Sequence, residues 1–247
     1  MNKIRKYPEN PVIPSIEPVM LYDTPTFRIM GDRALLVELG DEIHPSVNRK
    51  VRELFLKLDR EAIKGVRDLV PGYRSIMVVH DPLLVPLSFL QQSVIRLHKE
   101  KPGAPLPEPK TLEVPVVYGG RFGPDLAWVA SFHHLPHEEV IRYHTQPLYQ
   151  VYMIGFTPGF PYLGEVPGAI ETPRRETPRT AVPRGSVAIA QKQTGIYPVQ
   201  SPGGWHILGW TPLKLFDAGK WPPTPLEIGD LVKFFPIQEE EIGHWEG

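Results

Sequence analysis

Four arginines fall within eleven residues of this chain: Arg174, Arg175, Arg179 and Arg184. A guanidinium carries a planar fork of donors that matches the oxygens of a carboxylate or phosphate. The cluster is open to two readings. One is a solvated loop. The other is an anion site closed by the glycines of Ser201-Pro-Gly-Gly-Trp205, with Gln193, Thr194 and Ser201 adding neutral hydrogen bonds to an amide or carboxylate. Phe160 and Trp205 could wall such a site, although both suit a plain core equally well. His144 lies at the expected C-terminus of a helix, just before an apolar strand. The helix dipole there favours the imidazolium and would raise its pKa, which suits proton transfer, but a capping histidine has the same signature.

Other chemistry is weaker or missing. His133, His134 and His137 are close in sequence, yet the first two are adjacent and cannot share a helix face. No carboxylate completes a familiar ligand spacing, so a polar helix junction is the better reading and no metal site is evident. Gly155-Phe-Thr-Pro-Gly159 has the outline of a phosphate loop without its lysine. No G-x-x-x-x-G-K-[ST], H-E-x-x-H or G-x-S-x-G occurs. A nucleotide site is therefore not evident in this chain alone.

The elements that must position these residues fall into two groups. Thr26 to Gly40 alternates around a break at Gly31-Asp32, predicting a hairpin. Val47, Val51, Leu54, Phe55 and Leu58 predict an amphipathic helix over 44–58, and Leu87 to Leu97 a second over 86–98. Strands are expected between them at 66–70 and 75–80. The order ββαββα implies a small antiparallel sheet with both helices on one face. Residues 1–25, rich in proline, read as an extended arm, 26–100 as an α+β domain, and Lys101 to Lys110 as a linker. The remainder, 111–247, opens with a strand at 111–118 and helices at 125–133 and 136–144. Short strands follow at 149–154, 187–190, 195–198, 205–209, 213–216 and 231–235. Many short strands between Gly/Pro turns imply a compact β-barrel.

Composition excludes several classes. The chain has 247 residues, 41% of them hydrophobic and 22% charged, which are globular values. With no cysteine, disulfides, thiol nucleophiles and thiolate metal sites are ruled out. A net charge of −1 argues against nucleic acid or an anionic membrane as the main partner. The basic start, Met1 to Lys6, leads into prolines and not into an apolar signal core, and no apolar run reaches the ~18 residues of a membrane helix. A cytoplasmic protein is expected.

GFTPGFPYLG, TPRRETPRTAVPRGSVAIA, QTGIYPVQSPGGW and TPLKLFD closely resemble the allophanate hydrolase subunit 1 family. This family is also known as the B-type subunit of 5-oxoprolinase, or the carboxyltransferase domain of C/D type, and it includes the Kip-type kinase inhibitor. GDRALLVELG, VPVVYGGRFGPDL and EVIRYHTQPLYQVYMIGF extend the likeness over roughly residues 26 to 236. The resemblance implies an α+β fold, a ββαββα N-terminal domain followed by a cyclophilin-like β-barrel. It implies a paired subunit 2 or C, a third subunit, and ATP bound at the complex. The reaction implied is ATP-dependent opening of 5-oxoproline to glutamate, the chain being inactive alone. Alternatives within the family are allophanate, urea or another small amide as substrate, or inhibition of a sporulation-type histidine kinase. Prolyl isomerisation follows from the barrel alone and is disfavoured, since fold does not confer function. Matched family positions are His144, Phe160, Pro161, Tyr162, Arg174, Arg179, Gln193, Thr194, Ser201, Gly203, Gly204 and Trp205. By this resemblance His144 would transfer a proton or polarise a carbonyl, and Gln193 would act beside it. Arg174 and Arg179 would hold an acidic or phosphorylated group, and the SPGGW loop would offer backbone donors to an oxyanion. Glu165, Arg184, Gln191 and Trp210 depart from the usual family pattern.

Overall fold

A computed structural model describes residues 20–101 and 105–245. β1 (Leu21–Met30) and β2 (Ala34–Gly40) form the expected hairpin, turning at Gly31 with φ of 70°. β1 starts inside the stretch read as an arm, and residues 1–19 of that stretch lie outside the described residues, as do 102–104 of the linker. α1 (Pro45–Glu61) buries Val47, Val51, Leu54 and Leu58, the stripe its spacing predicts. The Ser46 N–H donates to Nδ1 of His44 at 3.2 Å to cap its start. β3 (Val66–Pro71), β4 (Ser75–His80) and α2 (Leu87–Lys99) complete this unit. The sheet runs β1-β2-β4-β3, and Leu35, Val37, Leu39, Ile76 and Val78 pack with both helices in one core.

The second unit begins with β5 (Thr111–Tyr118), α3 (Leu126–Phe132) and α4 (His137–Thr145). It continues through β6 (Tyr149–Ile154), β7 (Pro161–Gly164), β8 (Arg179–Val182), β9 (Ser186–Ala190) and β10 (Gln193–Ile196). β11 (Ser201–Gly203), β12 (His206–Trp210) and β13 (Leu231–Pro236) finish it. Seven of these strands close a barrel in the order β10-β7-β6-β13-β5-β12-β9, while β8 and β11 pair as a separate ribbon. β13 slots between β6 and β5 and runs parallel to β5, from Leu231 opposite Thr111 to Pro236 opposite Val116. The strand expected at 213–216 does not form. Leu215 is buried in the barrel core from a loop, so its apolar character reflects packing without a ladder.

Strand alternation separates two cores. Val187 and Ile189 of β9 join Val114, Val151, Leu163, Leu208 and Phe234 inside the barrel. Ala188 and Ala190 face outward, where Phe160, Tyr197, Trp205 and Ile207 pack under Val182 of the ribbon. This outer layer is one wall of the candidate site.

One carboxamide joins the two units. Asn48 on α1 is fully buried, and its Nδ2 donates to the carbonyls of Tyr73 (3.1 Å) and Tyr152 (3.0 Å). Its Oδ1 accepts from Nε2 of Gln150 at 3.0 Å. The buried Tyr152 carbonyl and the part-buried Tyr73 carbonyl and Gln150 amide would lose this partner without it. Asn48→Ala is expected to destabilise the protein by about 2 kcal/mol or more, read as a lower urea midpoint. An unchanged midpoint would show that the carboxamide does not join the units.

Candidate functional site

Gln193 and Thr194 are neighbours on β10, and alternation sends them to opposite sides of the barrel wall. Thr194 is fully buried on the inner side. Gln193 stays on the outer side, where its Oε1 accepts from the Tyr73 hydroxyl at 3.2 Å. Its Nε2, also buried, has no partner among the described residues. Tyr73 comes from the β3–β4 turn of the first unit, held there by the Asn48 bond to its carbonyl. Its ring meets that of Tyr162 at 5.5 Å. Phe160 joins Tyr162, Tyr197 and Trp205 at 4.8, 5.1 and 5.6 Å. The outer face therefore carries an aromatic floor with polar tips, spanning both units.

Arg174 lies close enough to this floor for its charge to reach three of its phenols. It is exposed and makes no hydrogen bond or ion pair among the described residues. Burial raises the pKa of Tyr73, Tyr162 and Tyr197, the last to about 12, and the Arg174 charge opposes the rise at all three. One guanidinium thus acts on three neutral phenols. The backbone on either side of it is fixed: His206 Nε2 donates to the Pro173 carbonyl at 3.0 Å, and the Arg175 N–H to that of Gly204 at 2.9 Å.

Asp125 provides the anchor beneath. The GGRFG turn leads into it through Gly123, where a Cβ would lie 1.9 Å from the Leu208 carbonyl oxygen. Asp125 is 5% exposed. It accepts a two-pronged bond from Arg179 (2.9 and 2.8 Å), a third from Arg175 (3.0 Å) and a fourth from the Ile207 N–H (2.7 Å). Burial alone would raise its pKa, but the Arg179 and Ile207 hydrogen bonds and both guanidinium charges hold it below the usual carboxylate range. Arg179, expected to bind a substrate acid, is occupied by Asp125. Of the arginine cluster, Arg174 and Arg184 remain without an ion pair among the described residues.

His144 is a correction to the reading of its charge. It sits at the end of α4 as expected, but it is fully buried and points into the barrel, against Tyr149 and Phe234. Thr194 Oγ1 donates to the Ala188 carbonyl at 3.1 Å, so His144 Nε2 must donate to Thr194 at 2.8 Å. Nδ1 then accepts from the Tyr118 hydroxyl at 2.7 Å. Both nitrogens are satisfied by a neutral ring. Desolvation pushes its pKa down to about 3, the reverse of the rise expected from the helix terminus.

The remaining residues divide similarly. Phe160, Pro161 and Trp205 are buried in the floor, and Tyr162 is half-buried at its surface. Ser201 and Gly203 pair with Val182 and Arg179 of the ribbon, which commits backbone expected to face an oxyanion. Gly203 leaves room for the Tyr197 hydroxyl, 2.2 Å from where a Cβ would stand, and Gly204 accepts from Arg175. Ser201 Oγ is buried without a partner among the described residues. The Gly155–Gly159 loop bonds within itself, Gly155 to Phe160, Thr157 to Gly155 and Phe160 to Thr157. His133 donates to Thr172 at 3.0 Å, since that hydroxyl donates to Ile170. Among the described residues no three His, Asp or Glu side chains are grouped to hold a metal. Among them, too, no helix is long and apolar enough to cross a membrane.

A family model, "Carboxyltransferase domain, subdomain C and D", matches residues 25–226. The chain belongs to that family. It is 40% identical over 223 residues to the B-type subunit of 5-oxoprolinase from Bacillus subtilis (strain 168), covering 86% of this chain and 92% of that protein. The solved structure of TTHA0988 aligns with a TM-score of 0.74 at 37% identity, over 83% of this chain. The urea carboxylase of Kluyveromyces lactis aligns with a TM-score of 0.73 at 20% identity, over 94% of this chain, and shows the fold. The chain spans 40% of the TTHA0988 chain and 24% of the urea carboxylase chain.

Departures from the usual pattern of the carboxyltransferase-domain family now have positions. Gln191 takes φ of 54°, a conformation that glycine adopts without strain. Trp210 and Arg184 are in contact, the indole N–H donating to the Arg184 carbonyl at 2.8 Å, so these two departures form one local feature. Tyr73, Tyr197 and Asp125 belong to the site although their sequence context gives them no role there.

Asp125→Ala strands two guanidiniums and the Ile207 N–H. A loss of about 2–3 kcal/mol is expected from breaking this buried pair. It falls toward the low side because the arginine side chains are 30% and 24% exposed. Urea denaturation checks it, and a loss under ~0.5 kcal/mol would mean the clamp does not hold the site. His144 gives a pH test. Its folded pKa is depressed from the unfolded value of about 6.5, so the unfolded chain binds more protons below neutrality. Stability should fall as pH drops from ~6.5 toward 3, and His144→Gln should flatten this limb. A limb equally steep in the variant would assign it to other groups, including the part-buried His133 and His206.

Proposed function

We propose that the chain is the B-type subunit of a complex that hydrolyses a small amide or lactam, with 5-oxoproline as the first substrate to test. The observation that carries this is the Arg174 guanidinium, without an ion pair among the described residues, on a loop held at both flanks and near the Tyr73–Tyr162–Tyr197 floor that also carries the orphan Gln193 donor. A guanidinium fork suits the substrate carboxylate. The Gln193 Nε2 is a buried donor without a partner among the described residues, and it would meet a substrate carbonyl oxygen once docking of a partner subunit opens the floor, its orientation set because Tyr73 occupies Oε1. The phenols stay neutral at physiological pH and provide an apolar bed with hydrogen-bonding tips. Hydrolysis adds water to the carbonyl carbon, breaks the C–N bond and leaves the nitrogen protonated as an amine. Of the face described above only Arg174 is exposed and Tyr73, Tyr162 and Gln193 are half-buried, so the rest of the site would come from a paired subunit 2 or C, with a third subunit completing the complex.

In such a complex ATP would supply a phosphoryl group to activate the lactam carbonyl. The residues at this face do not fit a triphosphate, since they offer one guanidinium without an ion pair among the described residues, and the Gly155 and Thr157 amides of the nearby loop bond within it. No step is routed through ATP at this face.

The test is reconstitution with the paired and third subunits, measuring ATP-dependent glutamate release from 5-oxoproline. Arg174→Gln should raise KM more than tenfold while the complex assembles normally, and Arg184→Gln should leave KM unchanged. Full turnover at normal KM in the Arg174 variant would remove the assigned role. Assembly without turnover on 5-oxoproline would keep the architecture and exclude this substrate.

A further inference from the structure

The Gly155–Gly159 loop carries an exposed aromatic ring on an unusual backbone. The Thr157 N–H donates to the Gly155 carbonyl, two residues back, at 2.9 Å, and Phe156 between them takes φ of 68°. That combination is the γ-turn in its rarer, strained form, and a bulky residue seldom occupies it. Glycine would adopt this φ without strain, so the turn itself does not call for phenylalanine. Nor does burial compensate, because Phe156 is 61% exposed.

The loop has little freedom to relax. The Gly155 N–H donates to the Phe160 carbonyl at 3.1 Å and closes the neck, and the Phe160 N–H donates to the Thr157 carbonyl at 3.1 Å. Pro158 and Gly159, the latter with φ of 80°, form the centre of that second turn in the type II pattern. A Cβ on Gly159 would stand 3.1 Å from both the Leu215 carbonyl oxygen and Phe216 Cβ, so the tip is pressed against the 213–216 loop. Strain of this kind persists where the surroundings over-determine it, and it collects at ligand clamps.

The position of the loop points to the ligand. The Phe156 ring meets Phe160 edge-on at 5.8 Å, and Phe160 is the hub of the aromatic floor. Met153 lies between the loop and the β3–β4 turn. A Cβ on Gly155 would be 3.6 Å from its Cε, and one on Gly72, next to Tyr73, 3.9 Å from its Sδ. Phe156 therefore stands at the rim of the floor, toward the side where Tyr73 enters. Small-molecule sites combine a few placed polar groups with apolar contact for the hydrocarbon part of the ligand. Arg174 and Gln193 are the polar groups here. We propose that Phe156 supplies the apolar contact and selects for the ring of the substrate, packing on the methylene carbons of a lactam whose carboxylate meets Arg174. The inference rests on the amide-hydrolase reading and adds to it a residue that recognises hydrocarbon.

The test uses the assembled complex, titrated with 5-oxoproline and with 2-pyrrolidinone, the same ring without a carboxylate, and followed by ligand-observed NMR. Phe156→Gly should weaken both lactams about tenfold, Phe156→Leu should recover most of the loss, and Arg174→Gln should weaken 5-oxoproline alone. Because glycine relieves the positive φ, the urea midpoint of Phe156→Gly should equal or exceed that of the unsubstituted protein. That separates a lost contact from a damaged fold. Unchanged affinity for both lactams in Phe156→Gly overturns the proposal. So does failure of that variant to assemble, which would make Phe156 an anchor between subunits. Binding of both lactams without turnover would set aside the hydrolytic reading, while the Phe156 variants would still decide the contact. No binding of either lactam to the unsubstituted complex overturns the contact outright.

Discussion

The candidate site depends on the Asn48 carboxamide more than on any residue within it. Its three close bonds tie the β3–β4 turn to β6 and thereby place Tyr73 above the outer barrel wall. A side chain of one unit then completes the hydrogen bonding of Gln193 Oε1 in the other. Buried polar groups are costly unless fully partnered, and that cost gives the docking its specificity. Apolar contact alone would permit the two units to slide.

Asp125 does the same work within the barrel unit. It gathers Arg175 and Arg179 and leaves Arg174, adjacent in sequence, without an ion pair among the described residues. The division of the arginine cluster into two anchors and two exposed cations, Arg174 and Arg184, thus follows from a single carboxylate. Because the anchors are charge-assisted and largely buried, the loop that displays Arg174 has few alternative conformations.

The ββαββα unit is legible in the sequence because its signals are local: the apolar stripe of α1 and the alternation of β2 each lie within one short window. β7, β8 and β11 are not, since PYLG, RTAV and SPG are too short to show a period and exist through their partners. The loop at 213–216 alternates without pairing, which sequence cannot distinguish from a strand. His144 defeats a local reading of its charge because desolvation inside the barrel outweighs a helix terminus. Thr194 and Gln193 group together in sequence although alternation separates them, a conclusion available only once β10 is recognised as a strand from residue 193. The part played by Asp125 is hidden because its partners lie 50 and 54 residues downstream.

The position of β13 bears on how the chain comes to be folded. It is the last strand among the described residues, and it fills the gap between β6 and β5 by pairing in parallel with a segment about 120 residues earlier. The ββαββα unit can therefore form as soon as it leaves the ribosome, whereas the barrel stays an open sheet until β13 has been made. During that interval the edges of β5 and β6 are exposed, and they are the natural place for a chaperone to act.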